Sequence, residues 1–400
     1  MKTIKIVIGA NFGDEGKGLM TDYFANEARL QKKSCLVVCH NGGSQKGHTV
    51  LTPTGVRHIF HHFGSGSMAF ADTYLSEKYI VNPIIFNIEF NQLKEKTIIP
   101  KTYINAECLL TTPFDMMINQ LIEEYRGADK HGSCGAGIFE TIVRNRIKEF
   151  HMTMAGFEAI DVDRKKEFLN NIADNYFPLR IKELGVEQIP EKWYEILKSK
   201  EEIIEKYIED FLYMEENIII AADEITDMYD YVIFEGAQGL LLDQNNTAYA
   251  PHLTPSNTGV KNPAEIIERK IKSGFAADEM DSEVCYVTRT YMTRHGAGRF
   301  DSECSKEDIN ADITDLTNVP NPYQDSIRYG RLDLSDLKKR IDKDLNDISD
   351  LNIKKSAAVT HINEYGYDGN KLKELFFDFK IYASDGMTYN NVRKVQECKI

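Results

Sequence analysis

The sequence predicts an α/β protein: a large, mostly parallel central β-sheet with helices on both faces and helical subdomains inserted into it. Three observations carry that prediction. Short apolar runs such as Ile4–Ile8 and Tyr231–Phe234 read as strands buried on both faces. A glycine-rich loop follows most of these runs. The segments between them place apolar residues at helical spacing, the alternation expected of a doubly covered parallel sheet.

The first strand, Ile4–Ile8, runs into Gly13-Asp14-Glu15-Gly16-Lys17-Gly18, and an amphipathic helix opens at Leu19. A strand, a glycine turn and a helix N-terminus make an anion site, because backbone N–H groups point outward and the helix dipole favours negative charge. Lys17 suits a phosphate. Asp14 stands where an anion would otherwise bind, which makes sense if it holds a metal ion or takes a proton. The loop departs from the phosphate-loop pattern, which needs Ser or Thr after Gly-Lys; Gly18 stands there.

Ser34–Cys39 reads as the second strand and leads into a second glycine loop, His40 to Thr49, in which His48 is a candidate general acid or electrophile. In an open parallel sheet the ligand crevice lies beyond the carboxyl ends of the strands, so both loops are expected to face it. Thr97–Ile99 and Tyr103–Ile104 read as short strands, and Thr112–Tyr125 as a helix. A third glycine loop, His131 to Ile138, carries Ser133 and Cys134 and is suited to wrap a phosphate. Residues 140–216 repeat Glu, Lys, Ile and Leu at helical spacing and read as a helical insertion. Tyr231–Phe234 is a further strand ending in Glu235-Gly236-Ala237-Gln238-Gly239, where the Gln238 amide can read a base edge or bond a phosphate. A loop rich in donors, Thr254 to Thr258, follows. Glu283–Thr290 is another strand, Asp312–Tyr329 a loop, and Ala357–Thr360 and Phe379–Tyr382 the last two strands. No repeat or linker interrupts the pattern, so 1–400 is expected to be a single domain with its helical insertion at about 140–216.

Bulk properties narrow the function. A net charge of −14 argues against a general nucleic-acid or anionic-membrane surface, so an anionic nucleotide must be held by local Lys, Arg and N–H groups. No apolar stretch approaches the length of a membrane span, and the N-terminus reads as strand. Seven cysteines without a CxxC pair fit reduced thiols in a cytoplasmic protein.

Taken in order, these motifs resemble those of the adenylosuccinate synthetase family. The chain shows GDEGKG at 13–18, GGSQKGHT at 42–49, GSCGAGI at 132–138, EGAQG at 235–239, TPSNT at 254–258, TRHGAG at 293–298, RYGRLD at 328–333, THIN at 360–363 and SDG at 384–386. The family counterparts include GDEGKGK, GGxNAGHT, GTTGRGIGP, TRVGAGP and TKxD. The resemblance implies a ligase that joins L-aspartate to a 6-oxopurine nucleotide, IMP, by way of a 6-phosphoryl intermediate made from a nucleoside triphosphate. Adenylosuccinate, for AMP synthesis, is the product. By resemblance, Asp14 is the base for N1–H, His48 and Lys17 serve the transferring phosphoryl group, and Gln238 contacts the purine nucleotide. Mg²⁺ is the implied cofactor, on Asp14 and the Gly47 carbonyl.

The remaining implied contacts are distributed along the chain. Gln45, Ser133, Cys134 and Thr254 match the monophosphate site, and Arg144 matches an arginine that crosses into the partner's site of a homodimer. Gln324 and Arg328 are the residues left near the altered aspartate loop. Gly13, Glu15, Gly16, Gly18, His361, Asn363, Ser384 and Gly386 match the triphosphate site. Asn363 replaces a guanine-reading Asp, and an amide suits adenine, so either GTP or ATP is the expected donor, with ATP favoured. The altered Gln45 and Cys134 keep a (d)GMP-using 2-aminoadenylosuccinate synthetase as an alternative, although retention of Asp14 favours IMP. A purine nucleotide-binding protein without turnover is the reading from a different class.

Overall fold

Ten strands form the central sheet of the computed structural model, which describes residues 1–274, 279–314 and 326–395. In chain order they are β1 (Lys2–Gly9), β2 (Cys35–Cys39), β3 (Asp72–Leu75), β4 (Thr102–Ile104), β5 (Ile219–Ile220), β6 (Tyr231–Glu235), β7 (Met280–Arg289), β8 (Lys354–Thr360), β9 (Lys380–Ser384) and β10 (Val392–Lys394). The spatial order is β10-β9-β8-β7-β1-β6-β2-β3-β4-β5. Every pairing is parallel except β9 with β10 at one edge. The mostly parallel sheet expected from the apolar runs is therefore the observed one. β1, β2 and β6 are buried along nearly their whole length, as continuous apolar strands covered on both faces must be.

Register decides where the loops emerge. Val7 of β1 pairs with Glu235 of β6, Glu235 pairs with Cys39 of β2, and Arg289 of β7 pairs with Thr360 of β8. The carboxyl ends of these strands thus lie along one edge of the sheet. All the loops singled out above for chemistry after β1, β2, β6, β7, β8 and β9 leave from that edge, the place where an open α/β sheet builds its ligand crevice.

Helices cover both faces. Helix α1 (Lys17–Leu30) lays Met20, Phe24, Ala25 and Ala28 against Val7, Val37 and Ile233. Two larger cores complete the layers, one on each face of the sheet. One joins Ile4, Val232, Val284 and Ala357 to the helices at 261–272 and 334–345. The other joins Phe63, Phe86 and Phe90 to Trp193, Tyr207 and Phe211. The last three lie within a run of helices from Ile138 to Glu215. That helical stretch shares its core with the strand side of the molecule.

One expected strand is absent. Thr97–Ile99 does not pair; it closes the helix Pro83–Glu95. Thr97 adopts φ +60°, its N–H bonds the Lys94 carbonyl and the Ile98 N–H bonds the Leu93 carbonyl, both at 2.9 Å. This is the double bond pattern that satisfies orphan carbonyls at a helix end. Two β-branched isoleucines after a threonine mimic a strand in sequence, but here they serve as a helix stop.

Candidate active site

The loop after β1 is folded around the buried carboxylate of Glu15. That carboxylate accepts from the N–H groups of Asn11 (3.0 Å) and Gly13 (2.8 Å) and from the Lys17 ammonium (2.8 Å). Gly9 makes room for this ion pair, since a Cβ there would lie 2.5 Å from Glu15 Oε2 and 2.8 Å from Lys17 Nζ. Glu15, expected to contact a nucleotide, instead spends its carboxylate inside the loop, and Lys17 reaches the cleft as half of a pair. Three left-handed residues within four positions, Gly13 (φ +123°), Asp14 (φ +62°) and Gly16 (φ +97°), bend the backbone around it. Asp14 is the one of the three with a side chain, and it is held there by Arg289, whose Nε donates to the Asp14 carbonyl at 2.6 Å.

The loop after β2 brings His48 opposite. Its Nδ1 lies 2.9 Å from Oε1 of Glu235, the last residue of β6. A carboxylate can only accept, so Nδ1 carries the proton of that bond. Glu235 also accepts from Lys46 Nζ (3.1 Å) and the Ser65 N–H (3.3 Å) and has no exposed surface. Burial works to raise its pKa, but Lys46 and His48 hold the carboxyl well below the usual carboxylate range. Burial lowers the pKa of His48, against the opposing pull of Glu235. Glu235 was legible only as a strand terminus, yet a charged residue ending a fully buried strand is the signal that could have marked it.

Asp14, Gly16, Lys17 and Gly18 from the first loop and Gly47 and His48 from the second line one cleft of ≈ 1030 Å³. His361, Asn363 and Gly386, from the loops after β8 and β9, line the same cleft with Arg289, Glu364 and Met387. Its polar groups converge from five loops, while Leu19, Leu51 and Ile313 supply apolar wall. At this end Asn363 is exposed and makes no hydrogen bond to the described residues. Glu364 accepts from the Tyr291 hydroxyl (2.5 Å), which in turn accepts from Arg289 Nη1 (2.8 Å).

Gln45 and Gln238 flank Gly42: a Cβ at Gly42 would lie 3.4 Å from Gln45 Nε2 and 3.5 Å from Gln238 Oε1. The Oε1 atoms of both glutamines are buried without a partner, and Gln238 takes the left-handed backbone (φ +59°). Buried unpaired carbonyl oxygens in a strained loop are groups awaiting a donor. Gln238 also packs its backbone 3.7 Å from the Cβ position of Gly13, so this pair adjoins the first loop.

Other expected contacts are used differently. Arg144 is buried in the interior, where it bonds the Asp115 carboxylate (2.9–3.1 Å) and the carbonyls of Leu110 (2.7 Å) and Phe150 (2.5 Å). With these donors engaged inside its own chain, it is not an arm for a partner's site. Arg328 binds Glu303 and the carbonyls of Gly296 (3.2 Å) and Gly298 (2.9 Å), so it braces the 296–298 turn rather than presenting a free guanidinium. Ser384 closes its own turn onto the Gly386 carbonyl (2.9 Å). Ser133 accepts from Asn119 (2.7 Å), whereas Cys134 is exposed on the third loop and Thr254 is half-buried under the 239–243 turn. Gln324 lies outside the described residues.

Comparison with known proteins identifies the family of the chain. A family profile described as adenylosuccinate synthetase matches residues 6–386. The adenylosuccinate synthetase of Mycobacterium leprae is 28% identical over 308 residues, covering 76% of this chain and 65% of that relative. Against M. leprae the match therefore spans just under two thirds of the relative's length. That of Borrelia recurrentis is 27% identical over 370 residues, covering 90% of this chain and 78% of the relative. Among solved structures, fully ligated adenylosuccinate synthetase from Plasmodium falciparum superposes with TM-score 0.71 at 14% identity, covering 98% and 99% of the two chains. Cyanophage S-2L succinoaminodeoxyadenylate synthetase, bound to dGMP and to dATP as an energy donor, gives 0.63 at 13% identity, covering 99% and 96%. At these identities the two structures speak to the fold.

Proposed function

The chain belongs to the adenylosuccinate synthetase family, and from that premise we propose that it joins L-aspartate to the 6-oxopurine nucleotide IMP, driven by a nucleoside triphosphate, to give adenylosuccinate. The observation that carries this reading is the meeting of Asp14, Lys17 and His48 across one cleft from two different loops. The 6-oxo group is a poor leaving group, and phosphorylation turns it into a good one that the aspartate amine displaces. Oxygen becomes the nucleophile once N1–H is removed, and Asp14 is the carboxylate offered for that proton. His48, backed by Glu235, and Lys17 face the charge that gathers on the phosphoryl group. With Nδ1–H committed to Glu235, a hydrogen bond from His48 to a phosphoryl oxygen uses a second proton on Nε2, an imidazolium held between two anions.

Mg²⁺ fits the residues present. Among the described residues no three His, Cys, Asp or Glu side chains gather to hold a metal ion. A hard cation that keeps waters and phosphate oxygens needs only one carboxylate and a carbonyl, and Asp14 and Gly47 line the same cleft. When bound, the ion supplies charge neutralisation at the transferring phosphoryl group.

The triphosphate base is read as adenine. The Asn363 amide offers one acceptor and one donor, complementary to the amine and ring nitrogen of adenine and mismatched to two adjacent guanine donors. The family resemblance further implies a homodimer in the cytoplasm, without Arg144 as the shared residue. No helix among the described residues is long and apolar enough to cross a membrane. The test is one panel: IMP, GMP and dGMP, each with aspartate, Mg²⁺ and either ATP or GTP, read by product mass. Adenylosuccinate from IMP with ATP is expected. Product from dGMP or GMP alone transfers the reading to a 2-aminoadenylosuccinate synthetase, and no product from any pair leaves a binding protein.

A further inference from the structure

Asp14 is gripped by the end of β7 and the chain that follows it. Arg289 Nε donates to its carbonyl (2.6 Å), Thr293 Oγ1 donates to the Gly13 carbonyl (3.4 Å), and the Arg294 guanidinium lies 4.5 Å over the Phe12 ring. The next residue, His295, places Nε2 3.5 Å from Asp14 Oδ2. Three of these contacts fix backbone or a neighbouring ring; the fourth reaches the carboxylate itself. A non-glycine residue at φ +62° persists only where its surroundings over-determine it, and this segment does so.

The backbone that carries His295 is fixed from two sides. Arg294 before it is buried and donates to the His252 carbonyl (3.2 Å). Gly296 after it turns through φ +70°, is held by Arg328 Nη1, and packs so tightly on the third glycine loop that a Cβ at Gly132 would lie 2.8 Å from the Gly296 Cα. The Ala297 N–H bonds the His131 carbonyl (3.1 Å).

We propose that His295 is a positioning residue for Asp14, setting the plane of its carboxylate by contact with Oδ2 so that the other oxygen meets the substrate proton. The reason is torsional. An aspartate χ2 is broad and roughly two-fold, so backbone contacts alone do not orient the carboxylate. A base must lie within about 2.6–3.2 Å of its proton, and small misplacement costs rate steeply. The proposal rests on Asp14 acting as the base, the reading given above, and concerns a position where the family motif TRVGAG carries valine and this chain carries histidine.

The experiment compares the full-length parent with His295→Val and His295→Gln. Glutamine keeps an N–H at the reach of Nε2, and valine does not. Steady-state kinetics with IMP, aspartate, Mg²⁺ and ATP are read together with melting temperature. The expected result is a fall in kcat of about tenfold or more for His295→Val, with KM for IMP and for the triphosphate within about threefold of the parent and an unchanged melting temperature, and recovery of kcat to within about threefold for His295→Gln. The proposal is overturned if His295→Val keeps kcat within twofold of the parent, or if His295→Gln falls as far as His295→Val, since the position then needs only its ring volume. A parent without turnover on any substrate pair fails the functional reading itself, before either variant is compared.

Discussion

Replacing Glu235 with glutamine separates the charge beneath His48 from its shape. The carboxylate is fully buried and accepts from His48 Nδ1 (2.9 Å), Lys46 Nζ (3.1 Å) and the Ser65 N–H (3.3 Å). An amide is isosteric, but it puts N–H donors where two donors already point. Lys46 keeps the Phe63 carbonyl (2.9 Å) and Cys39 Sγ (3.2 Å) as neutral acceptors and loses its counter-charge. Leaving one partner of a buried pair alone costs about 3–5 kcal/mol. At about 2.1 cal/mol/K per residue, unfolding 400 residues carries about 0.8 kcal/mol/K, so the melting temperature should fall by about 4–6 °C. The rate should fall much further, because the imidazole loses the acceptor that fixes its tautomer and its charge; correctly placed acid–base groups contribute about 10²–10⁴-fold. Initial rates of product formation, measured well below the melting temperature, and calorimetric melting of Glu235→Gln separate the two effects. If kcat stays within threefold of the parent while the melting temperature drops, Glu235 is a structural counter-ion only, and the His48–Glu235 reasoning is refuted.

Three further outcomes are expected. Asp14→Asn keeps a side chain that tolerates the left-handed backbone and removes the base, so kcat should fall by about 10²-fold or more with little change in melting temperature, checked by the same assay. Asn363→Asp should shift the kcat/KM ratio of ATP to GTP toward GTP by about 5–150-fold, the equivalent of about 1–3 kcal/mol for one two-bond base contact; an unchanged ratio would mean that Glu364 or another group reads the base. Asp344 is half-buried, and desolvation of its carboxyl pushes it up to about 7 despite bonds from the Tyr286 hydroxyl (2.8 Å) and the Val260 N–H (3.2 Å). A raised acid favours the folded state at low pH and loses that advantage as pH rises from about 4 to 7, at up to about 1.4 kcal/mol per unit. Denaturant unfolding of Asp344→Asn against the parent should therefore show the variant gaining ground as pH rises from 4 to 8.

The frame was legible because its signals are local. Buried parallel strands are continuous apolar runs, and each glycine loop marks a backbone that must turn sharply or meet another closely, as Gly9, Gly13 and Gly16 do. Those signals placed β1, β2, β6, β7, β8 and β9 and put Asp14, Lys17, Gly47, His48, His361, Asn363 and Gly386 at one edge, where the cleft is found. What a charged side chain does there is decided by its partner, and partners are far away in sequence. Arg144 sits in a helical pattern like any surface arginine, yet its partner Asp115 is 29 residues earlier and both are buried. Glu15 and Lys17 stand two apart in one loop, and nothing in that spacing says that they bind each other before they bind a ligand.

The same distinction explains where this chain departs from its family's motifs. The loop after β1 is built from within by Glu15, from beneath by the glycines and from outside by Arg289 and Thr293, and it retains the family's residues. Gln45, Cys134 and Asn363 depart at side chains that meet open space or an unfilled partner, His295 departs beside Asp14, and Lys46, where the family motif has alanine, departs within the buried Glu235 pair. A substitution within the loop's own frame breaks several bonds at once, as the 2.5 Å approach at Gly9 illustrates, whereas exchanging Asn for Gln or Val for His at the cleft rim changes what is bound and leaves the backbone intact. On that view the altered positions are the ones proposed above to set the donor and the poise of Asp14. The proposed chemistry rests on the part of the site that keeps the family's motif and is the most tightly bonded.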